Sequence, residues 1–409
     1  MISAPRILER CDALARCSET LDKLIRVYLS PEMREASALA LGWMREAGMT
    51  VHTDAIGNVC GRYEGATPGV PALLLGSHLD TVRDAGKYDG MLGVVSAIEC
   101  VAVLHAQGKR MPFAIEIIGF ADEEGVRFGS TLIGSRAVAG TFKPETLDTR
   151  DARGVTLREA LRDYGLDPTR VREATRRRDH VLAFVELHIE QGPVLESLDL
   201  PVGVVTAING ATRFQVEIEG VAGHSGTVPM HLRHDALAAA AECVLAIETR
   251  ARAEVDLVAT VGKLEALPGA INVIPGKARF TLDVRAPADT QRRKAASDMT
   301  DTLRAICEKR GVKLSMTILH ENTIAGCAPW LMQQLDAAVA RAGIQIHRLP
   351  SGAGHDGMAM QALCDIGMLF VRCKAGISHN PAESVTPQDV EVGARVLLGF
   401  IENFKTQQR

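Results

Sequence analysis

His78 and Asp80 stand in the stretch Gly76-Ser77-His78-Leu79-Asp80-Thr81 and could form a metal ligand with its orienting group. A ligating imidazole needs a hydrogen-bond partner on its second nitrogen, and residues two apart on an extended chain point to the same side. Asp89, a little further on, adds a carboxylate. A polar surface loop would show the same short pattern, so its meaning depends on similar side chains elsewhere in the chain.

More metal-type side chains follow the apolar segments further along. Glu123 and Glu124 come after Phe113–Phe120, His188 comes after Ala183–Leu187, and His379 comes after Met368–Arg372. Each has an ordinary explanation alone, because acids often begin helices and a single histidine at a strand end is usually structural. Three successive strand ends with such residues instead favour one shared site, since parallel strands place their carboxyl ends at the same edge of a sheet.

Imidazole and carboxylate groups in this mixture are ligands that zinc, manganese and cobalt accept. The five candidate ligands are His78, Asp89, Glu124, His188 and His379. Five is too many for one catalytic ion, but the set suits two divalent ions that share Asp89 as a bridge, which is a hydrolytic arrangement. Glu123 is adjacent to a ligand and remains available as a general base for a water molecule.

The elements around these residues predict an α/β domain. The run Ala72–Leu75 is typical of a buried parallel strand that ends in Gly76, and Met91–Leu104 is apolar nearly all round, as in a helix beside a central sheet. Ser30-Pro31 predicts the start of a helix that ends at Gly48, and Thr386-Pro387 predicts the start of the last helix. The sequence therefore predicts a sheet flanked by helices.

From about Asn209 the pattern changes to alternating apolar and polar residues, as in Phe214–Glu219, which indicates a strand with one wet face. The segments that follow predict the order β-α-β-β-α-β of a ferredoxin-like domain. We therefore expect a catalytic domain formed by residues 1–208 and 327–409, with residues 209–326 inserted as a lid or dimerisation domain.

Gly352-Ala353-Gly354-His355-Asp356-Gly357 matches the glycine pattern of dinucleotide-binding loops. The acidic residue expected about 20 positions later is absent, because that neighbourhood holds Cys373 and Lys374. The surrounding unit is also not an N-terminal βαβ. We therefore do not predict a dinucleotide site.

Composition limits the classes of function. The chain of 409 residues has 46 basic and 50 acidic side chains and a net charge of -4, which gives no electrostatic reason to expect nucleic acid or an anionic membrane as a partner. Nine cysteines without CxxC spacing favour a reducing compartment. Glu9 and Asp12 stand where a signal peptide would be apolar. We expect a cytoplasmic location.

Four longer motifs complete the pattern: ELHIEQGPVLE around His188, GHSGTVPM around His224, NVIPG from Asn272, and GISHNPAE around His379. Together with His78-Leu79-Asp80, Asp89 and Glu123-Glu124-Gly125, they resemble the aminoacylase-like dimetal peptidase superfamily. More narrowly, they are similar to its amidase, hydantoinase/carbamoylase family. That family includes N-carbamoyl-L-amino-acid hydrolases, allantoate amidohydrolases and ureidoglycolate amidohydrolases.

The resemblance implies a zinc-exopeptidase-like catalytic domain with a mixed sheet, and roles for individual residues. One ion would be held by His78, Asp89 and His188, and the other by Asp89, Glu124 and His379, with Glu123 as the base. His224 would stabilise an oxyanion in the neighbouring subunit of a homodimer formed through the inserted domain. The implied substrate contacts are Gln191, Arg213, Asn272 and Arg285.

From the residues alone, Arg285 could equally form a surface salt bridge and His224 could be an ordinary loop histidine. His188 favours the ureido-cleaving branch, because ordinary peptidases of the superfamily commonly have a carboxylate at this position. We therefore expect hydrolysis of a small N-carbamoyl or ureido carboxylic acid with release of ammonia and CO2. The alternatives are an aminoacylase or dipeptidase and, from another class, a metal-binding interaction protein without turnover, against which the intact Glu123 argues.

Overall fold

The computed structural model describes residues 1–407, and the chain separates into two compact units. The first unit comprises Met1–Thr206, Cys327–Leu349 and the segment from Ala353 onward, and the second comprises Ala207–Gly326 with Pro350–Gly352. The predicted division at residues 209 and 326 falls close to these borders. The assignment of catalytic and lid roles to the two parts stays a prediction.

The helices and strands alternate through most of the chain. The α-helices are α1 (Ala4–Ala15), α2 (Pro31–Glu46), α3 (Met91–Ala106), α4 (Ile133–Val138), α5 (Leu157–Asp163), α6 (Val194–Ser197), α7 (Ala236–Arg252), α8 (Asp289–Lys309), α9 (Pro329–Arg341), α10 (Gly357–Met360) and α11 (Pro387–Asn403). Short 3-10 helices lie at Pro144–Asp148, Pro168–Ala174, Arg178–His180, Met230–Leu232 and Lys374–Gly376. The strands are β1 (Thr50–Thr53), β2 (Val59–Tyr63), β3 (Ala72–His78), β4 (Ala114–Phe120), β5 (Val181–Ile189), β6 (Val202–Ile208), β7 (Gly210–Glu219), β8 (Gly223–His224), β9 (Val258–Thr260), β10 (Leu264–Leu267), β11 (Val273–Ile274), β12 (Lys277–Ala286), β13 (Lys313–Asn322), β14 (Ala325–Gly326), β15 (Arg348–Ser351) and β16 (Ile366–Val371).

The first unit is built on a mixed sheet with the strand order β1-β2-β4-β3-β5-β16-β6. The central strands β4, β3, β5 and β16 are parallel, whereas β2 and β6 pair with them in the antiparallel sense. Strands β3 and β4 are buried along their whole length, and so is nearly all of α3. A buried position on both faces of the sheet explains why these segments are continuously apolar in sequence.

The strand register brings the predicted site residues to one edge of this sheet. His78, the last residue of β3, pairs with Phe120, the last residue of β4, and His188 near the end of β5 pairs with Phe370 near the end of β16. The residues that follow β4 and β16 therefore emerge at the same edge as His78 and His188, as the sequence predicts.

The second unit contains an antiparallel sheet with the order β10-β12-β7-β13, and β9 also pairs with β12. The buried residues of α7 and α8 form one apolar core with those of β7 and β12. A short ribbon of β8 and β11 lies apart from this sheet. The predicted fold class, an α/β domain with a mixed sheet plus a separate antiparallel α+β domain, is confirmed.

Two predicted helix starts have the expected caps. The Ser30 hydroxyl accepts the main-chain N–H of Met33, and the Thr386 hydroxyl accepts that of Asp389. The second unit has four strands between α7 and α8, from β9 to β12, where the predicted order has two. Helix α1 was not predicted, although Ile7, Cys11 and Leu14 give it a buried face. Within residues 1–407, none of the helices combines the length and apolarity needed to cross a lipid bilayer.

Candidate metal centre

Asp89 lies at the centre of the site, and its two carboxylate oxygens face different imidazoles. Oδ1 is 3.1 Å from Nε2 of His188 and 3.5 Å from Nε2 of His78. Oδ2 is 3.1 Å from Nε2 of His379, which in turn lies 3.5 Å from Oε1 of Glu124. The structure thus divides the five predicted ligands into two groups that share Asp89.

Hydrogen bonds to the main chain fix the orientation of two imidazoles. Nδ1 of His78 is 3.0 Å from the carbonyl oxygen of Asp80, and Nδ1 of His188 is 2.9 Å from that of Ile189. A carbonyl can only accept, so each Nδ1 carries the proton and each Nε2 presents a lone pair. The lone pair of His188 also accepts the main-chain N–H of Gly90 at 3.2 Å. Both rings therefore turn a ligand atom towards Asp89.

Asp80 has a different role from the predicted one. Its side chain stands 3.7 Å from Nδ1 of His78, too far for a hydrogen bond, so the acceptor that orients the imidazole is its main-chain carbonyl. The carboxylate instead accepts the main-chain N–H groups of Glu123 and Glu124, at 3.0 and 3.1 Å. Asp80 therefore positions the two glutamates as well as His78.

The spacing of the ligand atoms fits divalent ions. Two ligands about 2.0–2.1 Å from one tetrahedral ion are about 3.4 Å apart, and the distances from Asp89 to its three imidazoles are close to this value. His78, Asp89 and His188 offer atoms within 4.8 Å of one another, and so do Asp89, Glu124 and His379. The donor set and its geometry are therefore those of a two-ion site with a bridging carboxylate.

The buried carboxylates at this edge of the sheet also favour the binding of cations. Burial raises the pKa of Glu123 well above its usual range, with His78 opposing the shift and Glu124 adding to it. Burial likewise raises the pKa of Glu124 to about 7. Burial acts in the same direction on Asp89, but the side chains of His188, His379 and His78 around it bring its pKa well below the usual range. Bound divalent ions would compensate the negative charge of these buried carboxylates.

Gly90 is required by the position of His78. Its φ of 73° lies in the left-handed region, and a Cβ atom there would stand 2.6 Å from the His78 ring. Gly90 precedes α3, so the chain turns tightly between the bridging carboxylate and that helix. Any larger residue would push His78 away from Asp89.

Gln191 also reaches the centre. Its Nε2 donates to Oδ2 of Asp89 at 3.0 Å and lies 3.0 Å from Oγ of Ser378. Its φ of 57° is the strained left-handed conformation for a residue with a side chain. The structure therefore places Gln191 beside the bridging carboxylate, and its contact with a substrate stays a prediction.

The other four predicted residues belong to the second unit. His224 pairs with Val273 in the β8–β11 ribbon, and the carbonyl of Asn272 accepts the N–H of Ser225, so His224 and Asn272 are neighbours. Nδ1 of His224 accepts the N–H of Gly226 at 3.1 Å. The proton of a neutral His224 is then on Nε2, the form that could donate to an oxyanion.

Arg213 and Arg285 line a cavity of about 570 Å³ on the second unit, together with Asp283 and Gly352. Nε and Nη2 of Arg285 donate to the Asp283 carboxylate at 3.2 and 2.9 Å, and Nη1 donates to the Gly352 carbonyl at 2.7 Å. Nε of Arg213 donates to Asp283 at 3.1 Å. The salt bridge that sequence alone left open for Arg285 is therefore present, and its role in substrate binding stays a prediction.

Several residues near the site were not singled out from the sequence. Glu186 and His355 each offer a ligand-type atom within 4.8 Å of one from His188, and the His355 ring packs edge-on against that of His188 with centroids 4.5 Å apart. Asp356 is fully buried, and burial raises its pKa to about 7. The glycine-rich stretch set aside as a dinucleotide loop thus supplies His355 and Asp356 beside the metal centre. A charged residue inside the apolar strand β5 was the available signal for Glu186.

Comparison with known proteins identifies the family. The profile of Peptidase family M20/M25/M40 matches residues 74–403. The chain is 43% identical over 401 residues to an N-carbamoyl-L-amino acid amidohydrolase of Geobacillus stearothermophilus, with 97% of each chain covered. The chain belongs to this M20 family.

The match extends to the hydantoinase/carbamoylase amidases within the family. The chain is 40% identical over 421 residues to allantoate deiminase 1 of Glycine max, which covers 95% of this chain and 87% of the relative. The crystal structure of an amidase of the hydantoinase/carbamoylase family from Burkholderia multivorans superposes with a TM-score of 0.92 at 30% identity, covering 98% and 97% of the two chains. The M20 chain is a hydrolase of the carbamoylase and allantoate amidohydrolase type.

Proposed function

We propose that the chain hydrolyses the carbamoyl C–N bond of a small N-carbamoyl or ureido carboxylic acid and releases ammonia and CO2. Allantoate and an N-carbamoyl-L-amino acid are the two candidate substrates, and they share a ureido group and a carboxylate. The observation that carries the proposal is the division of the ligands around Asp89, whose two oxygens each face a separate group. The N-carbamoyl-L-amino acid amidohydrolase is 43% identical to this chain and the allantoate deiminase is 40% identical, so identity alone does not favour one substrate.

His78, Asp89 and His188 would hold one divalent ion, and Asp89, Glu124 and His379 the other, with zinc, manganese or cobalt as candidates. Bound there, the two ions would polarise the ureido carbonyl and make a water molecule more acidic. Glu123 would take a proton from that water as it attacks the carbonyl carbon. When the C–N bond breaks, Glu123 would return the proton to the departing ammonia. The carbamate that remains on the other nitrogen would then lose CO2 and leave an amine.

Residues of the second unit are proposed to bind the substrate and the developing charge. The Nε2–H of His224 would donate a hydrogen bond to the tetrahedral oxyanion. This hydrogen bond strengthens as negative charge develops on the oxygen. Arg213, Asn272 and Arg285, with Gln191 of the first unit, would hold the carboxylate and ureido groups. A planar guanidinium suits a carboxylate because it can donate two parallel hydrogen bonds.

All nine cysteines are free thiols rather than disulfides, which supports a reducing, cytoplasmic location.

A substrate panel assayed for ammonia tests the proposal. Metal-loaded protein should release ammonia from allantoate or from N-carbamoyl-L-amino acids. Release of a free amine from acyl-amino acids or dipeptides, without ammonia from ureido substrates, would instead support an aminoacylase or dipeptidase. The absence of turnover on the whole panel with zinc, manganese and cobalt would favour a metal-binding protein without catalysis.

Arg285→Lys is expected to raise KM for the ureido acid about 10- to 100-fold with a smaller change in kcat, because a lysine cannot form the bidentate pair. Asp283→Asn is the matched variant, since it removes the competing carboxylate that occupies the guanidinium in the structure. It should leave KM unchanged or lower it. An unchanged KM in the lysine variant would make Arg285 a structural residue only.

Mixed dimers test whether His224 acts in the partner's site of a homodimer. Glu123→Ala and His224→Ala chains should each be nearly inactive, yet in a heterodimer one site combines an intact Glu123 with an intact His224 from the other chain. With random pairing, activity should recover to about a quarter of wild type. His231→Ala, at an exposed histidine on the neighbouring 3-10 helix, is the control and should remain active. Heterodimers without recovery, or a monomer in sedimentation, would contradict action in trans.

A further inference from the structure

Glu383 lies on the same loop as His379 and reaches the loop that carries Asp89. Its side chain is buried, with 4% of the residue exposed. Oε1 accepts the main-chain N–H groups of Tyr88 at 2.8 Å and Asp89 at 3.1 Å, and Oε2 accepts the hydroxyl of Ser378 at 2.8 Å. One carboxylate therefore binds the backbone of the bridging ligand and the residue next to His379.

Ser378 connects Glu383 to the ligand itself. Its Oγ is 2.8 Å from Oε2 of Glu383 and 3.3 Å from Oδ2 of Asp89. A hydroxyl has one proton, and the shorter distance assigns it to Glu383. Donation to Glu383 means that Ser378 does not compete with a cation for the Asp89 oxygen that faces His379, and this oxygen keeps its hydrogen bond from Gln191.

The neighbouring backbone is shaped around the Glu383 side chain. A Cβ atom on Gly86 would stand 2.3 Å from the Cβ, Cδ and Oε1 atoms of Glu383, so only glycine leaves room for the carboxylate in this position. Gly86 lies on the same loop as Asp89. The fit gives a second way to disturb Glu383, by a substitution that leaves Glu383 itself unchanged.

We propose that Glu383 is a positioning residue for the ion held by Asp89, Glu124 and His379. It acts by fixing the Asp89 backbone and Ser378 so that Oδ2 of Asp89 and Nε2 of His379 stay 3.1 Å apart. The ion held with His78 and His188 depends on it less, because main-chain carbonyls orient those imidazoles. The inference rests on the two-ion function proposed above and names a residue that acts through the ligands.

Asp151 provides a matched control. It is also buried, and its carboxylate also accepts two main-chain N–H groups, from Arg153 and Val155, and one side-chain donor, Nε of Arg127. None of these partners is a predicted metal ligand. Asp151→Ala should therefore cost stability as Glu383→Ala does, but without a selective effect on one ion.

The experiment is a titration of the metal-free, full-length chain with Zn²⁺, followed by calorimetry, on wild type, Glu383→Ala, Glu383→Gln, Gly86→Ala and Asp151→Ala. We expect Glu383→Ala to weaken Zn²⁺ binding about 10- to 100-fold at the site of Asp89, Glu124 and His379. Binding at the site of His78, Asp89 and His188 should change by less than about threefold. Glu383→Gln keeps an oxygen for Tyr88 and Asp89 but loses the acceptor for Ser378, so it should weaken the same site. Gly86→Ala should do so as well.

Excess Zn²⁺ should restore kcat in the Glu383 variants, because the lost property is affinity for the ion. Equal Zn²⁺ affinities in wild type and Glu383→Ala, or the same selective weakening in Asp151→Ala, would overturn the inference. If Glu383→Ala does not fold, Glu383→Gln and Gly86→Ala decide it by the same criterion. A wild-type chain that binds fewer than two Zn²⁺ ions would also overturn it. Two bound ions without ammonia release would refute only the proposed substrate class.

Discussion

Glu123→Gln is expected to bind two divalent ions like the wild type and to lose about 10²–10⁴-fold in kcat, the usual contribution of a general base. Glutamine has nearly the same shape as glutamate but cannot accept a proton. The main-chain N–H of Glu123 donates to Asp80, and the substitution leaves that hydrogen bond in place. The ligand geometry should therefore survive while proton transfer is lost.

Glu116→Gln separates loss of the base from loss of the fold. Glu116 is a buried carboxylate on β4, the strand that leads to Glu123, and pairs with Arg176 at 2.7 Å. Its substitution should lower the melting temperature and leave kcat close to wild type. Turnover retained in Glu123→Gln would assign proton transfer to another group.

Asp89→Asn should have the second large effect, because it alters a ligand of both ions. An amide is a poorer ligand than a carboxylate and removes the negative charge that both cations share. Substitution of residues outside the ligand set typically costs about 10- to 100-fold, so loss of the bridge should lower activity by at least about 100-fold. Elemental analysis should find fewer than two ions per chain.

Asp84→Asn is the control for this variant. Asp84 lies on the same loop and forms a surface pair with Lys23 at 3.5 Å, and such pairs contribute little. It should keep two ions and normal turnover. Two tightly bound ions and normal activity in Asp89→Asn would show that Asp89 does not bridge them.

The first unit's sheet could be predicted because burial on both faces leaves a plain sequence signature. Strands β3 and β4 are apolar throughout, so the polar residues after them mark the strand ends. Parallel strands in register then place His78 and the residues after Phe120 at one edge. The meeting of these residues at one edge follows from strand geometry, whereas their division into two groups around Asp89 was implied by the family resemblance.

Other features depend on three-dimensional contacts that spacing does not encode. Sequence could not decide whether the carbonyl or the carboxylate of Asp80 meets His78, since both lie within reach of an extended chain. Glu383 is in a quoted motif, but its acceptor role appears only when the loop after β16 meets the loop before α3. Sequence spacing places Asp283 on the same face of β12 as Arg285, but it could not reveal the Gly352 carbonyl, which is 67 positions away along the chain.

The most direct test of the two-ion ureido hydrolase is ammonia release measured against the number of divalent ions added to the metal-free chain. Allantoate and an N-carbamoyl-L-amino acid should be offered in parallel, with zinc and manganese as the ions. We predict that ammonia release from at least one substrate requires the second ion and reaches a plateau at two per chain. Full activity with one ion, or no ammonia from either substrate at two ions per chain, would contradict the account.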